Sequence, residues 1–341
     1  MPQAIIMAGG QGERFWPLTH KKYPKYRLCF QRKDSLLSAT YLRLLSVYKR
    51  KEIHVVTTRE HASMVRQELP RLFKDNLILE PQRKNTAAAI FLSSAMVREK
   101  FGSGEVVSFF PADHLIQDVL SFKKTIRAAV QLAQKNKALV TVGIRPTFPA
   151  TGYGYIRAGK PLEKGSRAYR VDRFVEKPDH KTAVGYLKQK KYLWNGGIFS
   201  WQSGVFLEEM KRNSPGYSRR FTLNDIPGSY RRLPNLSIDY ALLEKTHNLL
   251  VYTASMDWCD LGSWDMVLER SQKDPQGNFL KGKRMVSKDV GGSLLISENI
   301  KRPLVVLGVS NLIVVQNERG TLICRRGRSE EAALLSKKIV S

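Results

Sequence analysis

Short apolar runs alternate with longer amphipathic segments through the first half of the chain. Ala4 to Ala8, Ile53 to Thr57, Leu77 to Leu79, Val106 to Phe110 and Ala138 to Val142 have the length and β-branched content of buried strands. Helical periodicity fills the gaps at Ser35 to Tyr48, Glu60 to Leu72, Thr86 to Lys100 and Ser121 to Lys135. That order predicts right-handed βαβ units, and so a Rossmann-like α/β fold with a mixed, mostly parallel sheet flanked by helices. Thr151 to Ile156, Tyr169 to Glu176 and Trp194 to Trp201 read as further strands or strand edges of a mixed sheet. The pattern changes at Asp274-Pro275-Gln276-Gly277-Asn278, a turn-rich linker. After it, Gly292 to Ile296, Leu304 to Val309, Leu312 to Gln316 and Thr321 to Cys324 are short strands, and a closing helix is predicted from Ser329 to about Ile339. We therefore expect a catalytic domain over 1–275 and a small β-rich C-terminal subdomain over 276–341. No internal repeat or low-complexity segment interrupts it.

The first apolar run breaks directly into Gly9-Gly10-Gln11-Gly12-Glu13-Arg14. A flexible loop at the carboxyl edge of a buried strand lies where open α/β sheets bind ligands. Gly9, Gly10 and Gly12 allow main-chain N–H groups to approach an anion without a Cβ in the way, and Arg14 offers a planar fork for phosphate oxygens. The other reading is a tight turn. Two familiar motifs are excluded: a dinucleotide fingerprint starting at Gly10 needs glycine where Phe15 stands, and the Gly-Lys-Ser/Thr of a P-loop is absent.

Charge narrows the partners. The chain has 341 residues, enough for one large and one small domain, and its 42% hydrophobic content can fill a sizeable core. Lys and Arg outnumber Asp and Glu by 57 to 30, a formal net charge of +27 that favours anionic partners. The basic residues are scattered in pairs such as Lys21-Lys22, Lys123-Lys124 and Arg231-Arg232, with no basic tail, so they read as solvated surface charge. A nucleic-acid partner is not expected, because neither a recognised motif nor a concentrated basic stripe is present. Cys29, Cys259 and Cys324 form neither a disulfide framework nor a zinc pattern. The N-terminal apolar run is too short for a signal peptide, and nothing approaches the roughly 18 apolar residues of a membrane span. A cytoplasmic location without membrane contact is expected.

Several further segments could carry chemistry. Asp113, in Pro111-Ala112-Asp113-His114 after the fourth strand, is a strand-end carboxylate of the kind that suits Mg²⁺, which fills its other positions with phosphate and water. Asp260, in Trp258-Cys259-Asp260-Leu261-Gly262-Ser263-Trp264, is a second candidate, or else a turn or cap residue. The two can hold one ion only if the fold brings them together. In Phe174-Val175-Glu176-Lys177-Pro178 the backbone before proline is expected to be extended, which sends Glu176 and Lys177 to opposite sides, one for a hydroxyl and one for a phosphate; a surface charge pair is the alternative. Asn195, in Trp194-Asn195-Gly196-Gly197-Ile198-Phe199, carries an amide that can donate to and accept from sugar hydroxyls, unless the segment is an ordinary turn. Glu80, with Asn85 and Thr86 opening the next helix, is a candidate base and phosphate contact: a carboxylate accepts from both N1–H and the exocyclic amine of guanine, a donor pair adenine lacks. The six histidines are dispersed and no nucleophile elbow is present, which argues against hydrolases. His114 reads as a hydrogen bonder beside Asp113.

Taken in order, these segments resemble the sugar nucleotidyltransferase (nucleotidyl-transferring pyrophosphorylase) family over essentially the whole chain. Gly9 to Arg14 with Pro17-Leu18 resembles the signature loop and Pro24-Lys25 its downstream lysine. Glu80-Pro81 with Lys84-Asn85-Thr86-Ala87, Pro111 to His114, Phe174 to Pro178, Trp194 to Phe199, Ser237-Ile238-Asp239-Tyr240-Ala241 to Glu244-Lys245, and Asp260 to Trp264 continue the pattern. The resemblance implies the nucleotide-diphospho-sugar transferase fold and transfer of GMP from GTP to mannose 1-phosphate, giving GDP-mannose and pyrophosphate. It implies that Arg14 and Lys25 hold the triphosphate, that Lys177 holds the sugar phosphate, and that Mg²⁺ rests on Asp113 and Asp260. Gly9, Gly10, Gly12, Asn85 and Thr86 would contact the nucleotide and Glu80 its base, while Gly154, Glu176 and Asn195 would contact the sugar. Gly196 stands where the family usually has serine, and Tyr26-Arg27-Leu28 replaces a more usual Gln-Phe-Leu. Alternatives are the same chemistry on a heptose or glucose 1-phosphate or another nucleotide, and a non-catalytic regulatory relative, against which the presence of Arg14, Lys25, Asp113, Lys177 and Asp260 argues. The isomerase extension of bifunctional relatives is missing, so transfer alone is expected. A homodimer is one option for the assembly.

Overall fold

The computed structural model describes residues 1–341 apart from Gln11, Gln31, Arg32, Ile300, Ala333, Ser336, Lys337 and 339–341. The chain forms two compact units: Met1–Gly9, Thr40–Ala112 and Ile116–Trp258 make the first, and Gly10–Ala39, Asp113–Leu115 and Cys259–Ser341 the second.

Among the described residues the first unit holds a sheet of nine strands: β1 (Gln3–Met7), β2 (Ile53–Thr58), β3 (Leu77–Glu80), β4 (Val106–Pro111), β5 (Leu139–Ile144), β6 (Tyr155–Pro161), β7 (Ala168–Val175), β8 (Tyr192–Gln202) and β9 (Leu249–Thr253). Their order is β3-β2-β1-β4-β8-β5-β9-β7-β6. β1 to β4 are mutually parallel and β5 is parallel to β9, whereas β8 runs antiparallel between β4 and β5. Parallel strands are covered on both faces, and β1, β2, β4 and β5 are buried almost throughout, as their unbroken apolar runs require. β1 and β4 pair in register up to Met7 and Pro111, so their carboxyl ends lie side by side. From one the chain continues into the glycines, and from the other to Asp113.

The helices are α1 (Leu36–Leu44), α2 (Ala62–Glu68), α3 (Asn85–Phe101), α4 (Val119–Asn136), α5 (His180–Lys188), α6 (Ser203–Asn213), α7 (Pro215–Arg220), α8 (Ile226–Arg232) and, in the second unit, α9 (Trp264–Arg270). α1 and α2 are shorter than the periodicity suggests: residues 45–48 form a turn and bend after α1, while α2 is preceded by a 3₁₀ turn at Arg59–His61 and followed by a turn at 70–72. α3 is buried all round from Ala87 to Leu92, where Phe91 meets Phe206, Tyr217 and Phe221. The predicted strand over Thr151 to Ile156 starts only at Tyr155, after a bend at 151–153 that contains Gly152.

In the second unit β10 (Phe279–Gly282), β12 (Leu294–Ser297) and β14 (Leu312–Asn317) are parallel, with β15 (Gly320–Arg325) antiparallel at the edge. β11 (Met285–Lys288) and β13 (Leu304–Leu307) form a second, two-stranded layer. Leu295 and Val314 fill the space toward that layer with Met285, Leu304 and Val306. On the opposite face Leu294, Ile296, Ile313 and Val315 join Phe15, Leu18, Leu28, Trp264 and Leu268 in one core. The C-terminal strands therefore buttress the segment that follows the glycines. Trp264 Nε1–H donates to Trp16 O (3.3 Å) and Asn317 Nδ2–H to Pro17 O (2.8 Å). The closing helix predicted from Ser329 to about Ile339 opens with a 3₁₀ turn at Ser329–Glu331 and continues as helix at Ala332, Leu334, Leu335 and Lys338, the other positions of that stretch lying outside the described residues. No helix among the described residues is long and apolar enough to cross a membrane.

Candidate functional site

The second unit gathers the loop residues around one lysine. Gly12 has φ 75°, and a Cβ there would stand 2.3 Å from Lys25 Cβ, so only glycine lets the loop lie this close. Thr19 Oγ1–H donates to Gly12 O at 2.7 Å and fixes the turn. Lys25 Nζ donates to the main-chain carbonyl of Asp260 and pairs with Asp113 Oδ2, both at 2.7 Å, and lies 5.5 Å over the Phe15 ring. Burial works to raise the Asp113 pKa, but the charges of Lys25 and His114 outweigh it and hold the carboxyl below the usual range. Leu115 and Cys259 exchange backbone hydrogen bonds (2.8 and 2.9 Å), and this bridge brings the segments carrying Asp113 and Asp260 together. Asp260 Oδ1 accepts from Gly262 N at 3.1 Å, and Arg14 Nη1 lies 3.5 Å from where a Gly262 Cβ would stand. Gly9 and Gly10 have open space at the Cβ position, and Gln11 lies outside the described residues.

The donor set fits a magnesium ion. Among the described residues no three His, Cys, Asp or Glu side chains cluster as a protein cage. Mg²⁺ needs none, since it is held through one or two carboxylates and completes its shell with phosphate and water. Asp113 and Asp260 supply hard oxygen donors, and Lys25 occupies one oxygen of Asp113.

Two clusters lie in the first unit. At the end of β3, Glu80 is 4% exposed and its Oε1 lies 3.2 Å from the Tyr230 hydroxyl on α8. Burial raises the Glu80 pKa to about 7, against the opposing pull of Tyr230 and Arg83. Asn85, at φ 62°, accepts from Thr86 N at 2.8 Å through Oδ1. Thr86 Oγ1 accepts from Ile238 N at 2.9 Å, and Lys84 Nζ donates to Leu233 O, also at 2.9 Å. The head of α3 is thereby tied to the 233–238 segment.

The second cluster corrects one expectation. Glu176 and Lys177 do not point to opposite sides: Lys177 adopts φ 46°, and its ammonium returns to Glu176 Oε1 at 2.9 Å. The Glu176 side chain is nearly buried, and pairing it at the end of a flexible four-carbon stem offsets its desolvation. Burial lowers the Lys177 pKa, but the Glu176 contact more than reverses this. A Cβ at Gly154 would meet Glu176 Oε2 at 2.6 Å, so Gly154 makes room for that carboxylate. Asn195 Oδ1 accepts from Thr141 Oγ1 (3.0 Å) and Gly197 N (3.2 Å), while its Nδ2 donates to Asp239 Oδ1 (3.1 Å). Gly196 packs so closely that a Cβ would stand 2.8 Å from Val142 O, where β5 bulges against β8.

Sequence reasoning gave no role to Asp239, Glu244 or Tyr230. Asp239 opens a π-helical turn, a geometry frequent at functional sites. Burial raises its pKa to about 7, and the Glu176 charge adds to this. Glu244 Oε1 accepts from Glu176 N at 2.9 Å. The first two lie in the Ser237 to Lys245 motif, which was the available signal; Tyr230 had none.

A glycine loop closed on a buried lysine and its carboxylate partner is a setting for a phosphate-bearing substrate. The Nucleotidyl transferase family model matches residues 3–277, and the chain belongs to that family. It is 36% identical to mannose-1-phosphate guanylyltransferase of Salmonella montevideo, over 98% of this chain and 73% of that protein. It is 35% identical to xanthan biosynthesis protein XanB of Xanthomonas campestris pv. campestris (strain B100), over 99% of this chain and 72% of that protein. The solved structure of mannose-1-phosphate geranyltransferase from Thermus thermophilus superimposes with a TM-score of 0.88 at 30% identity, covering 100% of this chain and 99% of that one.

Proposed function

We infer that the protein transfers GMP from GTP to mannose 1-phosphate, forming GDP-mannose and releasing pyrophosphate. The observation that carries this reading is the Lys25 ammonium, held against Gly12, Asp113 and the Asp260 carbonyl as an anchor for a triphosphate. The name of the Salmonella montevideo relative supplies the substrate pair. A phosphate oxygen of mannose 1-phosphate attacks the α-phosphorus of GTP in line. The new P–O bond forms as the bond to the β-phosphate oxygen breaks, and its electron pair leaves with pyrophosphate. The attacker is already an anion, so no general base is needed, and the barrier lies in bringing negative groups together. Arg14 and Lys25 neutralise the triphosphate and the departing pyrophosphate, with Gly9, Gly10 and Gly12 letting main-chain N–H groups approach. Asn85 and Thr86 sit at the nucleotide and Glu80 accepts from the guanine edge. Lys177 takes the sugar phosphate, while Glu176 and Asn195, with Gly154 behind them, take sugar hydroxyls. Mg²⁺ on Asp113 and Asp260 supplies positive charge to the phosphate oxygens when bound. Cys29, Cys259 and Cys324 form no disulfide, which fits a reducing cytoplasm.

Pyrophosphate release with Mg²⁺, measured across a matrix of nucleoside triphosphates and sugar 1-phosphates, tests the reading. Release confined to GTP with mannose 1-phosphate supports it. Release with a heptose or glucose 1-phosphate, or with another nucleotide, moves the substrate, and no release with any pair makes a regulatory role the leading account.

A further inference from the structure

Glu176 is the first residue past β7, and its N–H donates to Glu244 Oε1 at 2.9 Å, a partner 68 residues further along the chain. The next residue, Lys177, stands at φ 46° immediately before Pro178, a conformation that side chains rarely adopt and that a following proline opposes. That turn returns the Lys177 ammonium to Glu176 Oε1 at 2.9 Å, while Glu176 Oε2 takes the space that glycine leaves at 154. The N–H, Oε1 and Oε2 of Glu176 each have a set place, and Glu244 holds the first of them. Glu244 can do so because its own segment is fixed. Ala241, Leu242 and Leu243 are buried in the π-helical turn Asp239–Leu243, and Glu244 N donates back to Asp239 O at 3.0 Å. Upstream, Ile238 N donates to Thr86 Oγ1 at 2.9 Å and Ala87 N to Leu236 O at 3.2 Å, which ties the start of the segment to the head of α3. One stretch of chain thus meets the cluster assigned to the nucleotide at one end and the cluster assigned to the sugar at the other.

Electrostatics runs against this placement. Glu176, Asp239 and Glu244 bring three acidic side chains around Lys177, at a site whose substrate is an anion. Charge alone predicts that a carboxylate here weakens phosphate binding. What offsets that cost is the hydrogen bond to Glu176 N, since without an acceptor the turn at Lys177 loses the tether on its N-terminal side. Resting on the reading of Glu176 and Lys177 as the sugar and sugar-phosphate contacts, we propose that Glu244 is a positioning residue for the sugar 1-phosphate. It touches no substrate, and it sets the Glu176–Lys177 turn by accepting from the Glu176 main chain.

The test is steady-state kinetics of Glu244→Ala and Glu244→Gln, with mannose 1-phosphate and GTP varied separately. Glu244→Ala is expected to raise KM for mannose 1-phosphate about tenfold, the worth of one hydrogen bond to a charged group, and to lower kcat as Lys177 loses its aim. KM for GTP is expected to stay within about twofold. Glu244→Gln keeps an acceptor oxygen and should restore most of the loss. The competing accounts give different results. If Glu244 acts on the anion by charge alone, both variants lower KM for mannose 1-phosphate. If it only supports the fold, loosening its segment also releases Thr86, and both constants rise together. Either result, unchanged constants in Glu244→Ala, or a Glu244→Gln variant as impaired as Glu244→Ala overturns the assignment. Failure of the functional reading is seen separately, in the native protein. Pyrophosphate release with another sugar 1-phosphate moves the substrate, and the same comparison with that sugar then decides the role of Glu244. A native protein inactive with every sugar 1-phosphate takes the proposal down with the reading.

Discussion

The Lys25 ammonium is 2.7 Å from the Asp113 carboxylate and equally close to the main-chain carbonyl of Asp260. One cation thus joins the segments after the glycines, after β4 and before α9. The pairing is strong enough to hold the Asp113 carboxyl below its ordinary range although burial acts the other way. A depressed carboxylate contributes stability above its unfolded pKa and loses it as pH falls through the folded one, so this junction weakens in acid.

Asp113→Asn keeps the volume and removes the charge. It is expected to lower kcat by about 100-fold or more, the scale of losing one electrostatic contact to the transferring phosphoryl group. It should also raise the Mg²⁺ concentration needed for half-maximal rate. Lys25→Met is expected to act comparably, and the double variant to be less impaired than the product of the two, because each residue acts partly through the other. Pyrophosphate release measured over a Mg²⁺ series checks this. Unchanged turnover of Asp113→Asn at saturating Mg²⁺ would sink both the metal and the catalytic assignment.

Gly12→Ala tests the loop. The added methyl group meets Lys25 Cβ at 2.3 Å on a backbone that side chains rarely adopt, so the turn or Lys25 must shift. A misplacement of about 1 Å at a phosphate-positioning group costs on the order of 100-fold in rate. We expect kcat to fall by that order while the protein stays folded, as read by circular dichroism alongside turnover. Full activity would show that the Gly12–Lys25 contact is dispensable.

Much of the fold was legible because its signals are local. β1, β2, β4 and β5 are runs of apolar and β-branched residues, and their burial follows from pattern alone. β9 was missed although Leu249 to Thr253 has strand composition, since no neighbouring turn signal isolates it. α1 and α2 were drawn too long because the apolar spacing runs on through the turns at 45–48 and 70–72 and through the 3₁₀ turn at Arg59–His61. At the site, residue types were readable and partners were not. The Leu115–Cys259 bridge that gathers Asp113 and Asp260 is a backbone event with no side-chain signature. Lys177 bends back on Glu176 against the backbone preference before proline, because a nearly buried carboxylate without a partner is costlier than a strained φ. Gly196 departs from the expected serine at a position where the main chain of β5 leaves no room for a side chain.

Gly154 is expected to act on the sugar alone. A methyl group there would stand 2.6 Å from Glu176 Oε2 and 3.3 Å from Asn195 Cβ, displacing the side chains assigned to sugar hydroxyls. Gly154→Ala should raise KM for mannose 1-phosphate by about tenfold or more, the cost of one misplaced polar contact, and leave KM for GTP within about twofold. Steady-state kinetics with each substrate varied separately decides it. An equal rise in both constants would mean that the 154–176 contact supports the whole sheet rather than the sugar cluster.

His54 lies on β2 beside β1, 5% exposed, with Nε2–H donating to Gln3 Oε1 at 3.0 Å. Burial, aided by the charge of Lys100, lowers its pKa to about 4 from the 6.5 of a free side chain. The folded state therefore holds His54 neutral where the unfolded chain binds a proton. Its contribution is complete above the unfolded pKa and is lost as pH falls toward about 4. A shift of that size corresponds to about 3 kcal/mol, enough to stand out in a protein of ordinary marginal stability. Asp113 and other depressed carboxylates also destabilise in acid, so the native pH profile alone cannot assign the loss. His54→Gln keeps a donor for Gln3 and cannot titrate. Urea unfolding at neutral pH and near pH 4 should show the variant losing about 3 kcal/mol less than the native protein between the two conditions. Equal losses would mean that His54 is already protonated, or already released from Gln3, before the fold gives way.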